Sequence, residues 1–511
     1  MPIRTNNVCE GPQYFRAAGA STALHKETRM NTVAKLQRAG ARGLFRFKPK
    51  YLLCVMAAAL ATGCGGDSPP VSNEVDVAGC EGTVKYAETN GTFENGTPWG
   101  MRRPAGWISG LLINDLDYVP GRDTERSCYW LKKGYALSGT GRNPQRSFNY
   151  DSEREAQELM SVLDMFGARY GKPSRTIQYG HSGGGFVALN LAERYSNRVD
   201  GVVSGCAHEQ VPLMNMMLDG WFVLRTLIAP ELQIVGFNDL ATVTDQSTKW
   251  KAALAQAQLT PEGRARIALA AAMGQWPVWS SATKAKPDPT DTAALQAAVY
   301  ETVLLNAGQP GGQSRFMSEH AGTSPTPRQL SWNTGISYDQ LLARADPLLG
   351  RLVQSLYAAQ GANLQVDLGK LRDAARVQSD PAAVAFWDAP GRTVHGNPKV
   401  PVLRFHTIGD NVVPPQIIDA YVQKMRANNG DVSLYRTVVV DRTGHCTFAV
   451  AESTAAVETL LVRLSTGAWP DVSPEGMNAR ARALIPSATP LFVPYAPVPA
   501  NRPQNNPSGG L

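Results

Sequence analysis

At 511 residues the chain is long for one core, yet no Ser/Gly/Pro-rich linker divides it before the C-terminal tail, so one domain with a large insertion is the simplest account. Its formal charge of +7 belongs to the N-terminus: residues 1–63 hold ten Lys/Arg and two Asp/Glu, which leaves 40 basic against 41 acidic residues beyond them. That balance excludes a nucleic-acid partner.

Arg42, Arg46, Lys48 and Lys50 precede an apolar run, Tyr51 to Ala61, too short to span a bilayer and of the length of a signal-peptide core. Residues before Met30 have no signal character, which makes Met30 an alternative start. The run ends in Ala61-Thr62-Gly63-Cys64, which resembles the lipobox of bacterial lipoproteins, with Ala61 where leucine is usual. The resemblance implies export, lipidation of Cys64 and membrane contact through that lipid alone, on the periplasmic side of a bacterial membrane; an ordinary signal cleaved nearby, and a secreted protein, is the alternative. Cys9 and Cys54 leave with the leader, so Cys80, Cys128, Cys206 and Cys446 remain, with three possible pairings in an oxidising compartment. Cys206 and Cys446 are both predicted at the carboxyl edge of the sheet and are expected to pair, with Cys80 and Cys128 paired by elimination. Free buried thiols are the competing reading.

Beyond the leader, Thr83 to Gly100 reads as short antiparallel entry strands, and Trp107 to Asn114 as the first strongly apolar central strand. Arg126 to Lys133 reads as a helix, Gly134 to Ser138 as a strand, and Asp151 to Tyr170 as an amphipathic helix with Ala156, Leu159, Val162, Leu163 and Phe166 on one face. Arg175 to Tyr179 is a strand, and Gly185 onward has helical spacing, so Gly180-His181-Ser182-Gly183-Gly184 falls in a strand-to-helix turn. A serine between glycines in that turn is exposed and strained, as a nucleophile of acyl transfer requires. After a strand at Asp200 to Ser204 the alternation stops, and residues 208–399 read as a mainly helical cap, with helices at Trp250 to Ala257, Pro261 to Met273, Ala293 to Leu305, Tyr338 to Ala345 and Pro347 to Ala359. Val400 to His406 resumes the sheet, followed by a helix at Pro415 to Asn428, a strand at Ser433 to Val440 and a helix at Thr447 to Leu464. From Trp469 a Pro-rich tail begins; its last dozen residues are expected to be disordered, with Leu491 to Tyr495 packing along the body. The segments are therefore 1–63 leader, 64–207 first part of the core, 208–399 cap, 400–468 second part of the core, and 469–511 tail.

A serine nucleophile needs a base and an acid that orients the base. Asp410 ends the resumed strand and is followed by Val412-Val413-Pro414, while His445 lies between the last strand and the closing helix. Of the seven histidines, His445 alone combines a position after Ser182 and Asp410 with a loop at the end of a strand. Glu209, after the sixth strand, is the competing acid. The oxyanion of the tetrahedral intermediate would be held by the backbone N–H of Gly183 and one from Leu116, after the third strand. Asp115 and Asp117, so close to a developing negative charge, are expected to serve loop solvation and capping.

On these residues, about 105–206 and 400–465 resemble the α/β-hydrolase superfamily of serine esterases and peptidases. The resemblance implies a mostly parallel, doubly wound α/β sheet with the helical cap inserted after the sixth strand. Trp130-Leu131-x-x-Gly134-Tyr135-Ala136 and the cysteine beside His445 are similar to tannase and feruloyl-esterase-like enzymes. Those enzymes have a cysteine before the elbow serine where this chain has His181, so their disulfide does not carry over as such.

The cap opens with Val211-Pro212-Leu213-Met214-Asn215-Met216-Met217, then Trp221, Phe222 and Val223. Such a stripe is more often packing than pocket, but read as a pocket it suits an apolar acyl or aryl group. With no Lys/Arg cluster in sequence, the expectation is a serine hydrolase cleaving a neutral, hydrophobic carboxylic ester, small or oligomeric, through an acyl-enzyme. The alternatives are an exopeptidase or amidase of the same fold, with Glu209, Asp219, Glu231 or Asp239 binding an amine, and an inactive binding lipoprotein. No His-x-x-x-His, paired Cys-x-x-Cys or phosphate loop occurs, and neither a metal nor a cofactor is expected.

Overall fold

In a computed structural model, residues 75–118, 121–313, 328–359, 362–496 and 498–507 are described. The leader and Cys64 lie outside them. The described residues belong to one compact unit.

The chain runs through β1 (Val75–Gly79), β2 (Val84–Thr92), β3 (Pro98–Pro104), β4 (Leu111–Asp115), α1 (Glu125–Lys132), β5 (Ala136–Thr140), α2 (Ser152–Tyr170), β6 (Arg175–His181), α3 (Gly183–Arg194) and β7 (Gly201–Gly205). Among the described residues nine helices follow: α4 (Gln210–Leu227), α5 (Leu240–Gln258), α6 (Pro261–Met273), α7 (Thr292–Leu305), α8 (Gln309–Gln313), α9 (Tyr338–Ala343), α10 (Pro347–Ala359), α11 (Leu364–Asp373) and α12 (Pro381–Asp388). The sheet resumes at β8 (Val402–Gly409), and α13 (Ile417–Ala427), β9 (Tyr435–Thr443), α14 (Val450–Thr466), α15 (Pro474–Leu484) and β10 (Phe492–Val493) complete the chain.

The ten strands form one sheet in the order β1-β2-β3-β5-β4-β6-β7-β8-β9-β10, antiparallel among β1, β2, β3 and β5, parallel from β5 to β9, and antiparallel again at β10. This is the doubly wound α/β-hydrolase arrangement. The helical insertion follows the strand expected at Asp200 to Ser204, which is the seventh in the chain because the entry sheet has one strand more than the sequence suggested. Val202, Val203, Leu403 and Phe405 are fully buried, as central strands covered on both faces must be.

The cap has its own core. Val211, Leu213, Met214, Met216, Met217, Trp221, Phe222 and Val223 are all buried there, together with Trp250 and Trp276. This overturns the apolar-pocket reading of that stripe: α4 is covered all round, so its thioethers and rings are spent on packing. Trp221 packs edge-on against Trp250 and Trp276, at 5.1 and 5.7 Å between ring centroids.

The tail is also corrected. Ser473 caps α15 through Gly476 N–H, with Pro474 in its first turn, and Met477 and Ala481 are buried. β10 pairs with β9. Asn501 and Arg502, expected in a disordered end, are buried: Arg502 Nη1 is 2.8 Å from Asp219 Oδ2, and its Nη2 donates to Trp332 O at 2.7 Å. Composition alone hid this, because the partners of Asn501 and Arg502, Gln275 and Asp219, lie more than 200 positions away in sequence.

Cys80 pairs with Cys128, and Cys206 with Cys446. The second bridge closes 240 residues and encloses the whole cap. By loop-closure entropy, Cys206→Ser is expected to cost about 2–5 kcal/mol, read as a lower urea midpoint with a steeper slope, because the unfolded chain loses its cross-link and exposes more surface.

Candidate active site

β6 delivers the elbow. Ser182 has φ 54° and ψ −121°, a conformation costly for a side-chain residue. Its N–H donates to Gly205 O at 2.9 Å, which anchors it to β7. A Cβ on Gly180 would lie 2.4 Å from Gly184 C, so only glycine lets the strand and α3 approach this closely.

Three side chains from separate loops meet at this turn. His445 Nε2 is 2.7 Å from Ser182 Oγ, and His445 Nδ1 is 2.8 and 3.0 Å from the oxygens of Asp410. Asp410 is fully buried, and its Oδ1 also accepts from Val412 N–H at 3.0 Å and Val413 N–H at 2.9 Å. The Val-Val-Pro run after the acid thus supplies two backbone donors that fix its orientation. His406 Nε2 lies 3.6 Å from Asp410 but donates to Val413 O at 2.9 Å, and burial lowers its pKa to about 4, so it is neutral and makes no ion pair.

Glu209, the competing acid, points elsewhere. Its carboxylate meets Lys424 Nζ at 2.8 Å and Arg404 Nη1 at 3.6 Å, fully buried. The other carboxylates offered for amine binding are also accounted for: Asp219 meets Arg502, Asp239 caps α5 through Thr242 N–H, and Glu231 is exposed.

Leu116 lies beside the start of α3, its Cβ 3.3 Å from where a Cβ on Gly184 would sit. The loop after β4 therefore borders Gly183. Asp115 and Asp117, expected to solvate and cap, instead pair with arginines: Asp115 with Arg126 at 3.1 Å, Asp117 with Arg142 at 2.6 Å. Burial pushes the Asp115 carboxyl up to about 6 despite Arg126. Burial would raise Asp117 too, but Arg142 holds it below the usual carboxylate range. A raised carboxyl pKa means that the folded state binds the proton more tightly than the unfolded chain. Asp115 therefore stabilises the fold below about pH 4, and that contribution is lost as pH rises through about 6, by roughly 3 kcal/mol. Urea titrations from pH 4 to 7 should accordingly show a flatter stability profile for Asp115→Asn than for the wild type.

His181 occupies the position of the missing cysteine. It is wedged among Tyr179, Phe405 and Phe448, with Nε2 2.7 Å from Tyr179 Oη. Burial, then Arg126, push its pKa well below 6.5, so it stays neutral beneath Ser182. Cys446 adjoins His445 and is tied to Cys206 at the end of β7, so the bridge restrains the histidine loop from the neighbouring strand. The sulfurs beside His445 and Asp123 are thereby engaged in disulfides rather than offered as thiolate ligands.

Although no Lys/Arg cluster is visible in the sequence, three arginines lie close to this site. Arg126 comes from α1, while Arg142 and Arg146 come from the loop after β5; Arg146 pairs with Glu155 at 2.6 Å. Spacings of sixteen and four across a strand and a loop have no period that a sequence reading could detect.

Residues 133–298 match a family model described as serine aminopeptidase, S33. Over 422 residues, 78% of this chain and 92% of the other, the sequence is 40% identical to an o-phthalyl amidase of Xanthobacter agilis. Among solved structures it is similar to feruloyl esterase B of Aspergillus oryzae, at 15% identity and a TM-score of 0.36 over 76% of this chain and 82% of that one. It is also similar to lipase A of Candida antarctica, at 14% identity and a TM-score of 0.35 over 79% and 83%. No helix among the described residues is long and apolar enough to cross a membrane.

Proposed function

The chain belongs to the α/β-hydrolase superfamily of serine hydrolases, and on that premise we propose that it cleaves a carboxylic amide through an acyl-enzyme on Ser182. The observation that carries this reading is the continuous hydrogen-bonded line from Ser182 Oγ through His445 to Asp410. His445 takes the serine proton as Oγ attacks the carbonyl carbon, and the developing oxyanion is met by the N–H groups of Gly183 and Leu116. His445 then gives that proton to the leaving nitrogen. Water, deprotonated by the same ring, releases the acid and restores Ser182.

An amide is preferred to the ester because the 40% identical relative is an amidase. That relative's name specifies a phthalyl group, which supports an aromatic acyl part here too. Activated esters enter the same acyl-enzyme with a better leaving group. A panel of aryl anilides, 4-nitrophenyl esters and aminoacyl anilides tests this. Turnover of the first two and not the third is expected; cleavage of aminoacyl anilides alone would establish an exopeptidase instead.

Export and lipid attachment at Cys64 are part of the same proposal, supported by the leader and by two disulfides of the kind oxidising compartments sustain. The mass of the mature N-terminal peptide tests it.

A further inference from the structure

We propose that Arg142 and Arg146 form a carboxylate subsite beside Ser182, so that the acyl part of the substrate carries a second carboxylate close to the scissile carbonyl. This rests on the acyl-enzyme reading and adds to it the charge of the substrate and the residues that read it.

The first residue of α3 is the focus. A side-chain carbon on Gly183 would sit 2.6 Å from Arg146 Nη2 and 3.3 Å from Arg142 Nη1. Two guanidinium groups therefore converge on the space next to the N–H that receives the oxyanion. Each is held from its outer edge. Arg142 gives Nε and Nη2 to Asp117 at 2.6 and 3.1 Å, which turns Nη1 towards Gly183. Arg146 gives Nε to Glu155 at 2.6 Å, with Nη2 reaching both Glu155 and the Gly183 side. Carboxylates behind and guanidinium nitrogens in front make a fixed donor pair suited to a planar anion. The amino end of the twelve-residue α3 adds its positive dipole at the same point.

A second observation points the same way. His208, at the entrance to the cap, is buried and stacks on Phe186 at 4.6 Å, yet neither ring nitrogen has a hydrogen-bond partner among the described residues. Burial first, and then the Arg146 guanidinium, push its pKa well below the usual imidazole range, so it stays a neutral, polar ring within reach of that arginine's charge. The leaving nitrogen must face His445, which protonates it. A group held at Gly183 therefore belongs to the acyl part.

Three amides separate the possibilities: 2-carboxybenzanilide, its isomer N-benzoyl-2-aminobenzoate with the carboxylate on the leaving ring, and benzanilide. The wild type is expected to favour the first over the other two by about 10–100-fold in kcat/KM, the worth of one charge-assisted contact. Arg142→Gln should bring the ratios towards one. Equal cleavage of all three by the wild type, or an equal loss on all three in Arg142→Gln, would overturn the subsite, the latter by assigning the guanidinium to the oxyanion. Labelling of wild-type Ser182 by a fluorophosphonate gives a readout independent of amide turnover. Phthalate should protect Ser182 at lower concentration than benzoate does, and equal protection by the two sinks the subsite. No labelling of folded protein would overturn the acyl-enzyme reading itself.

Discussion

Ser182→Ala is expected to lower amide turnover by about 10⁴–10⁶-fold with the fold retained. The size follows from what the hydroxyl does: it supplies the only covalent route, and His445 and Asp410 are useful through it, so removing it idles all three. What remains is binding and the N–H groups at Gly183 and Leu116. Stability should hold, because Ser182 is held through its backbone N–H to Gly205, which alanine keeps, and its backbone conformation strains alanine no more than serine. Steady-state kinetics on an aryl anilide, with circular dichroism on the same sample, measures both. Turnover within tenfold of the wild type would remove Ser182 from the mechanism.

Asp410→Asn is expected to cost about 10⁴-fold. An amide can still accept from Val412 and Val413 through its oxygen, which leaves its NH₂ facing His445 Nδ1. That nitrogen must then accept, and the proton moves to Nε2, where it blocks abstraction from Ser182. The paired variant Glu209→Gln should behave in the opposite way, with kcat near the wild type and a loss of stability, since it leaves Lys424 and Arg404 buried without their anion. Running both through activity and urea unfolding assigns the acid. A large activity loss in Glu209→Gln with near-normal Asp410→Asn would reverse the assignment.

The turn at Ser182 was legible because its signals are local: five residues, a strand before and a helix after. The placement of Asp410 and His445 was legible through chain order and strand ends, the Cys206–Cys446 pair through the predicted edge of the sheet, and the Cys80–Cys128 pair by elimination. α15 went unread although Ser473-Pro474-Glu475 is a helix-start signature, because the Pro-rich surroundings dominated. The arginines at Gly183 could not be read at all. Each is unremarkable in its own segment, and only the loop after β5 folding over α3 makes them neighbours. The cap helix α4 was ambiguous for a related reason: an apolar stripe looks the same whether it lines a cavity or is covered by α6.

Arg502 reaches Asp219 across 283 positions of sequence, and this sets an order of events during synthesis. Asp219 is made and packed into the centre of the cap long before its counter-ion exists. Until Arg502 has emerged, that carboxylate can be kept only neutral or hydrated, so the cap core cannot close in its final form. A chain that stops short of Arg502 has every residue of the nucleophile turn and its partners, yet keeps a buried acid without a base. Arrival of Arg502 is thus itself a condition for a finished cap, and a chain cut before it is marked by the instability of a segment far from the cut.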